Sequence, residues 1–410
     1  MSHRIGNAPL TVSSLCHASL AFDDAIAILS SEAHALGHES IALGAAAGRR
    51  LAEPVVARID GPRWDCAAMD GYALRNCDLD VGLRHFALRG EIVAGDDALI
   101  AVATGSTMRV MTGAPLPDGA DRVVMIELCE ENGGTVEIRA VPGGKPHVRR
   151  RGSDFTAGQT LLDKNRELTP VALVAAAAGD VSHVTLWRQP RVHIIATGDE
   201  LVAPGEAASR AYRIPDSLTA AIALLSRQWG GLVVRETRTG DDPRAIRDAF
   251  SKDDDVTIII GGASRGNRDF GRSALAPFGL RLLFADVAIK PGKPSWYGKV
   301  GEAHVLGLPG NPTAALTVAR LFLAPLLAGL GGGEPGSALE WTRLPAAHDV
   351  ERQAEREAFL IGDTVGGAAR LLDRQEASAQ LLLGQATILI RRPARAARSR
   401  EGSLLPVLPI

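Results

Sequence analysis

Between residues 190 and 330 the apolar positions follow two alternating rhythms. Short continuous apolar runs (RVHIIAT, LVVRETR, VTIIIGG, LRLLFADVAI, HVLGLPGNP) alternate with stretches spaced as amphipathic helices (SLTAAIALLSRQWG, DPRAIRDAFS, TAALTVARLFLAPLLAGL). Continuous apolar runs suit strands buried on both faces, so the alternation predicts a parallel, doubly wound sheet. Upstream, residues 20–35 (LAFDDAIAILSSEAHA) have helical spacing, and IALGAAAGRRLAEPV reads as a second helix-like stretch. Residues 61–146 change character. HFALRGEIV, STMRVMTGA, DRVVMIELCE and GTVEIRAV are strand-like runs parted by Gly, Pro and Asp turns, which predicts a small, mostly β insertion. LTPVALVAAAAG reads as a helix, GLGGGEPGS (329–337) as a linker. Beyond it, REAFLIGDTV, AARLLD, ATILIRR and GSLLPVLPI predict a C-terminal β domain.

Open α/β sheets bind ligands outside the carboxyl ends of their strands. The expected ends are Thr197-Gly198-Asp199-Glu200, Gly240-Asp241-Asp242, Gly261 to Asp269, Lys290 to Lys293, and Gly307 to Pro312. Any one of these turns alone reads more readily as a solvated loop. Five together describe a cleft for an anionic substrate and a hard cation. Asp199, Glu200, Asp241 and Asp269 are candidates for Mg²⁺, which takes oxygen ligands and bridges phosphates. Asp242, before Pro243, reads instead as a helix cap. Lys290 and Lys293 offer point charges to an oxyanion, on a loop stiffened by Pro291 and Pro294. Gly261, Gly262 and Gly266 allow close backbone approach to a phosphate, and Ser264 offers a hydroxyl. A second cluster, Asp65, Asp70 and Thr112, lies in turn-prone segments beside apolar residues, where a packed domain junction is the plainer reading.

Composition narrows the classes. A chain of 410 residues predicts two to four domains. A net charge of −2 and 4% aromatic residues give no field or stacking surface for nucleic acid. The four cysteines have no C-x-x-C spacing, which suits a reducing cytoplasm without disulfides or zinc. No signal peptide is expected in MSHRIGNAPLTVSSL, and the most apolar stretches are short or interrupted by Arg320 and Pro325, so no membrane span is expected. Neither G-x-G-x-x-G after RVHIIAT nor G-x-x-x-x-G-K-[ST] occurs. A nicotinamide oxidoreductase and a P-loop ATPase therefore have little support.

WDCAAMDGYAL, MTGAPLPDGADRVVMIE, RRRGSDFTAGQTL, TGDEL, DDP, GGASRGNRD, IKPGKP and GLPGNP occur in this order. Together they resemble the molybdopterin molybdenumtransferases of the MoeA type, related to the gephyrin E domain, over roughly residues 18–410. The resemblance implies an α/β multidomain chain. A linking α/β domain (18–60 and 147–180) carries a β insertion (61–146). A molybdopterin-binding-like α/β domain (181–332) and a C-terminal β-barrel (336–410) follow. It implies a cytoplasmic homodimer, with an adenylylated molybdopterin donor protein and recipient molybdoenzymes as partners. The implied chemistry takes adenylylated molybdopterin, Mg²⁺ and molybdate. Molybdenum enters the dithiolene, the pyrophosphate link is hydrolysed and AMP leaves. By similarity Asp70, Thr112, Glu200, Asp241, Asp269, Lys290 and Lys293 match functional positions. Glu200, Asp241 and Asp269 are the expected Mg²⁺ set, and Pro309, Gly310, Asn311 and Pro312 form a structural and binding loop.

Several motifs depart from the family pattern. Cys66 and Ala67 replace Asn-Ser, Ser153 replaces Glu, and Leu218 replaces Asn. Arg265 enters the glycine loop, Asp286 stands where a basic residue is common, Ala314 replaces Ser, and RQEASAQ lacks a clean Gln-Gly-Ser. Arg265 and Asp286 change charge in opposite senses, as an exchanged cation or as surface drift. Lost donors weaken polar recognition by about 0.5–1.5 kcal/mol each. A paralogue that binds molybdopterin or its adenylate without turnover, as a carrier or assembly partner, is therefore the alternative expectation.

Overall fold

The computed structural model describes residues 19–96, 100–140, 143–262 and 270–410. They form two compact units. One takes the chain up to His38 and again from Trp187 to Ile410; the other is Glu39–Leu186.

The first unit is built on a six-stranded sheet. Its order is Leu232–Thr239, Arg191–Thr197, Val256–Ile260, Ala303–Leu308, Trp296–Val300, Arg281–Ala285. The first four are parallel. Val256–Ile260 and Ala303–Leu308 are wholly buried, as unbroken apolar runs require. The helices Thr219–Gln228 and Pro243–Ala249 stand where the alternation places them. Asp242 caps the second through the Arg244 amide (2.9 Å), so it is a capping residue.

The apolar run 280–289 is not one strand. Arg281–Ala285 lies at the sheet edge, antiparallel to Trp296–Val300, a strand the sequence reading did not distinguish. The chain turns at Asp286, whose φ is +56°. Ile289–Lys290 then pairs with Glu357–Ala358 of a second sheet. That sheet runs Ile289–Lys290, Glu357–Val365, Ile388–Arg392, Leu404–Pro409, Thr342–Pro345, with Ala368–Leu371 beside Glu357–Val365. An isolated bridge joins Ala346 to Ala369. All four expected C-terminal runs are strands here, and Thr342–Pro345 is an additional one.

Residues Pro312–Leu330 form one apolar helix of 19 residues, most of them buried within the protein. It contains a π-helical turn at Ala319–Leu323. Arg320, inside that turn, is buried but donates to the carbonyls of Pro409 (2.6 Å) and Ala338 (2.8 Å). Burial lowers its pKa to about 10. The helix Phe22–Glu32 packs into this unit, with Phe22 at 4.9 Å from Phe359 and 5.8 Å from Phe322. Phe22, Ala25, Leu29 and Ala33 of this N-terminal segment join the first unit's core.

The second unit has its own six-stranded sheet, in the order Arg122–Met125, Gly71–Leu74, Ser106–Val110, His85–Ile92, Thr135–Ile138, Cys129–Asn132. Beside it, Pro170–Ala178 forms a helix with the Thr169 hydroxyl accepting from the Ala172 amide at 3.2 Å. Ala172 and Ala176 pack with Leu51, Val55, Leu168 and Leu186. The expected helix over IALGAAAGRRLAEPV is absent. His38–Ala42 is a strand paired with His183–Trp187, followed by a single 3-10 turn, Leu43–Ala45. Gly48, at φ +75°, and Pro54 break the pattern; Gly and Pro cost about 1 and 3 kcal/mol in a helix interior.

Candidate functional site

Within the first unit the parallel strands end side by side. Thr197 is in register with Thr239, Ala196 with Ile260, and Ile260 with Leu308. The chain passes from Arg191–Thr197 out to the edge strand Leu232–Thr239, then back across to Val256–Ile260. Strand order therefore reverses between Thr197 and Ile260, the position at which such sheets open a crevice. Thr197 is buried there, its hydroxyl 3.3 Å from the Ile260 carbonyl.

Backbone approach is close at this point. Gly261 has φ +91°, and a Cβ on it would lie 2.7 Å from the Thr197 carbonyl oxygen. Gly262 is also left-handed, at φ +61°. Gly198, at φ +155°, would press a Cβ to 2.8 Å from Glu200 Oε2, so the Glu200 carboxylate folds over the glycine. Asp199 Oδ1 accepts from the Asp241 amide at 3.2 Å and lies 2.5 Å from where a Gly240 Cβ would be. Asp199, Glu200 and Asp241 thus share neighbouring strand ends. Among the described residues, no three His, Cys, Asp or Glu converge as a ready-made metal site. Ser264, Gly266, Arg265 and Asp269 lie outside the described residues.

The lysine loop leaves the same sheet edge at Asp286 and returns at Trp296. Its Lys290–Pro291 peptide is cis. Gly292, at φ +108°, would drive a Cβ to 2.4 Å from Val318 Cγ2, so the loop is seated on the Pro312–Leu330 helix. Between this loop and the Pro309–Pro312 turn lies a cavity of about 520 Å³. Lys290, Lys293, Pro309, Asn311, Ala314 and, from the C-terminal sheet region, Arg356 contribute to its wall. Neither lysine nor the Arg356 guanidinium has a partner among the described residues. Three cations without hydrogen-bond or ion-pair partners among the described residues, gathered in one concavity, make an anion site. Arg356 was not singled out from the sequence: it lies 63 residues beyond Lys293, and only folding brings it there. Gly310 contributes backbone space, since a Cβ on it would meet only Gly261 Cα, at 3.6 Å.

Two departures have local explanations. Leu218 is buried in the core, while Asp216 binds the first turn of the Thr219–Gln228 helix through the Leu218 and Thr219 amides (3.2 and 3.0 Å) and the Thr219 hydroxyl (2.7 Å). Helix initiation thus rests on Asp216. Ala314 is buried in the cavity wall, where a methyl group closes the packing.

The second unit carries its own polar cluster. Asp70 Oδ1 accepts both the amide and the hydroxyl of Thr112, each at 2.7 Å. These bonds, the amide first, hold the Asp70 carboxyl below its ordinary pKa. Asp65 accepts from the Arg151 amide (2.8 Å) and Arg150 Nη1 (2.5 Å), and Asp60 pairs with Arg151 Nε at 2.5 Å. The aspartates thereby tie the RRRGSD segment down, so Asp65 serves structure, whereas Asp70 and Thr112 are both exposed. Cys66 and Ala67 are buried, and burial pushes the Cys66 thiol pKa up.

Comparison with known proteins gives two matched regions. Residues 20–179 match the MoeA N-terminal region (domains I and II), and residues 193–329 match a probable molybdopterin binding domain. The chain is 33% identical over 343 residues to a molybdopterin molybdenumtransferase from Nostoc sp., covering 79% of this chain and 76% of that one. It is 34% identical over 311 residues to one from Haemophilus influenzae, covering 75% of each. Two crystal structures of the molybdopterin biosynthesis MoeA protein from Pyrococcus horikoshii superpose with TM-scores of 0.81 and 0.79. They are 27% and 25% identical, covering 96% of this chain and 99% and 100% of theirs.

Proposed function

The chain belongs to the MoeA family of molybdopterin molybdenumtransferases, enzymes of molybdenum cofactor biosynthesis, and from its geometry we propose how it carries that reaction. The observation that carries the reading is the cavity in which Lys290, Lys293 and Arg356 stand without partners among the described residues. Its lining suits molybdate, a compact tetrahedral dianion, which the two ammonium groups and the guanidinium hold as charge-assisted donors.

The adjacent strand ends suit the adenylylated end of molybdopterin. Gly198, Gly261 and Gly262 leave room for phosphate oxygens against the backbone, and Thr197 and Asn311 frame the crevice. Mg²⁺ fits the donor set: it commonly takes one or two carboxylates and completes its shell with phosphate oxygens and water. Glu200 and Asp241 would hold it, with Asp199 fixing the Asp241 backbone. Bound there, Mg²⁺ would neutralise charge on the pyrophosphate link as it is cleaved. The lysines orient the oxyanion; on the second unit, Asp70, held ionised by Thr112, is an exposed acceptor.

In this reading AMP leaves as molybdenum joins the dithiolene. The protein acts as a cytoplasmic homodimer that receives the adenylate from a donor protein and passes the cofactor to molybdoenzymes. The division into linking, β, molybdopterin-binding-like and C-terminal domains is retained, the last as a barrel supported by the Ala346–Ala369 bridge.

The test is AMP release by the purified protein given adenylylated molybdopterin, Mg²⁺ and molybdate. Release that depends on molybdate and is lost in Lys290→Ala and Asp241→Ala supports the proposal. Tight binding of the adenylate without release would make this chain a carrier.

A further inference from the structure

The cavity beside the lysine loop contains one side chain of the opposite sign. Glu376 lines the same wall as Lys290, Lys293 and Arg356. Its position is fixed from both sides. The Gln375 side chain accepts from the Ile361 amide (3.0 Å) and donates to the carbonyls of Ile361 (2.9 Å) and Leu372 (2.7 Å). On the other flank, the Ala377 carbonyl accepts from the Thr313 amide at 3.0 Å, and the Ala379 carbonyl accepts from the Thr313 hydroxyl at 2.7 Å. Thr313 opens the helix that supports the lysine loop. Residue 376 therefore cannot leave the rim without breaking one of these anchors. Its recorded ion pair is with Arg374, 3.4 Å from Nε to Oε2, between two exposed side chains. Such a pair between exposed side chains is worth little, and Arg374 is not among the cavity-lining residues, so the wall itself presents the carboxylate.

A carboxylate at an anion site weakens binding, most for the most highly charged anion, and so can serve selection. Resting on the oxyanion reading above, we propose that Glu376 is a specificity-determining residue. It reduces the charge of the lining to that of three cations and one carboxylate, a net +2, so a tetrahedral dianion is matched and more highly charged phosphate species are disfavoured. A dianion leaves the lined cavity neutral. A trianion leaves one charge uncompensated and partly desolvated, which is costly. Where the resembled family has Gln-Gly-Ser, this chain thus carries a charge filter.

The test is calorimetric titration of the full-length protein with molybdate and with inorganic pyrophosphate at pH 7.5 and constant ionic strength, using wild type, Glu376→Gln and Lys290→Ala. Glu376→Gln is expected to narrow the preference for molybdate over pyrophosphate by about threefold or more, the scale of one added charge pair near a surface. Lys290→Ala is expected to weaken both anions. An unchanged preference in Glu376→Gln, with both anions weakened in Lys290→Ala, would overturn the role of Glu376 and leave the oxyanion site standing. Anion binding indifferent to Lys290 would overturn both.

Discussion

Thr112 presents its backbone amide and its hydroxyl to a single oxygen of Asp70, each at 2.7 Å. Two donors on one oxygen favour the ionised carboxylate, and the other oxygen stays available to a ligand. Asp70 therefore keeps its charge into more acid solution than a free aspartate. Thr112→Val removes one donor and keeps the amide. Its Asp70 carboxyl is expected to titrate higher than in the wild type and still below the ordinary value of 3.8. Carbon-13 NMR of the carboxyl measures this; coincident titrations in both proteins would show that the hydroxyl does not act on Asp70.

Gly292 cannot carry a side chain in this fold. Its φ of +108° is strained for any other residue, and a Cβ would sit 2.4 Å from Val318 Cγ2. Gly292→Ala is expected to lift the lysine loop off its helix, costing about 1–3 kcal/mol and reducing molybdate affinity. Gly336→Ala is the control, since nothing lies within 4 Å of its Cβ position. Thermal unfolding and molybdate titration of the two variants should separate; indistinguishable variants would mean that the loop is not held by this contact.

His304 and Tyr297 make a buried pair, Nδ1 to phenol oxygen 2.7 Å. Burial pulls the His304 pKa down to about 4 from 6.5. Between those values the unfolded chain binds the extra proton, so this contribution to stability is complete above pH 6.5 and is lost as pH falls towards 4. The full shift corresponds to roughly 3 kcal/mol. His304→Phe removes the titration. The gap in urea midpoint between wild type and variant is therefore expected to narrow from pH 7.5 to 4.5, and a constant gap would contradict the buried neutral imidazole.

Arg356 is expected to matter to the oxyanion as much as the lysines do. Arg356→Ala should weaken molybdate binding by about tenfold, the loss typical of one charged hydrogen-bond donor. Equal affinity in wild type and variant would remove Arg356 from the site.

The contrast between Lys290 and Arg356 shows what was legible beforehand. Lys290 sits in a stiff, sign-rich loop directly after an apolar run, so local pattern exposed it. Arg356 is one arginine among many in the C-terminal region, and only the pairing of Ile289–Lys290 with Glu357–Ala358 brings it to the loop. The parallel strands were legible because buried strands are continuous apolar runs. The break at Asp286 was not, because an apolar run does not show where a chain changes sheets. Among the strand-end aspartates, Asp242 was correctly separated as a cap by the proline after it. Turn chemistry alone did not separate Asp65 from Asp70, since the tie of Asp65 to Arg150 and Arg151 spans more than eighty residues.

Molybdenum incorporated per AMP released is the decisive quantity. With adenylylated molybdopterin, Mg²⁺ and labelled molybdate, the wild type should deliver one molybdenum into the pterin product for each AMP, and Lys290→Ala should deliver little of either. AMP released without molybdenum in the product, or molybdenum uptake unaffected by Lys290→Ala, would contradict insertion at the lysine cavity.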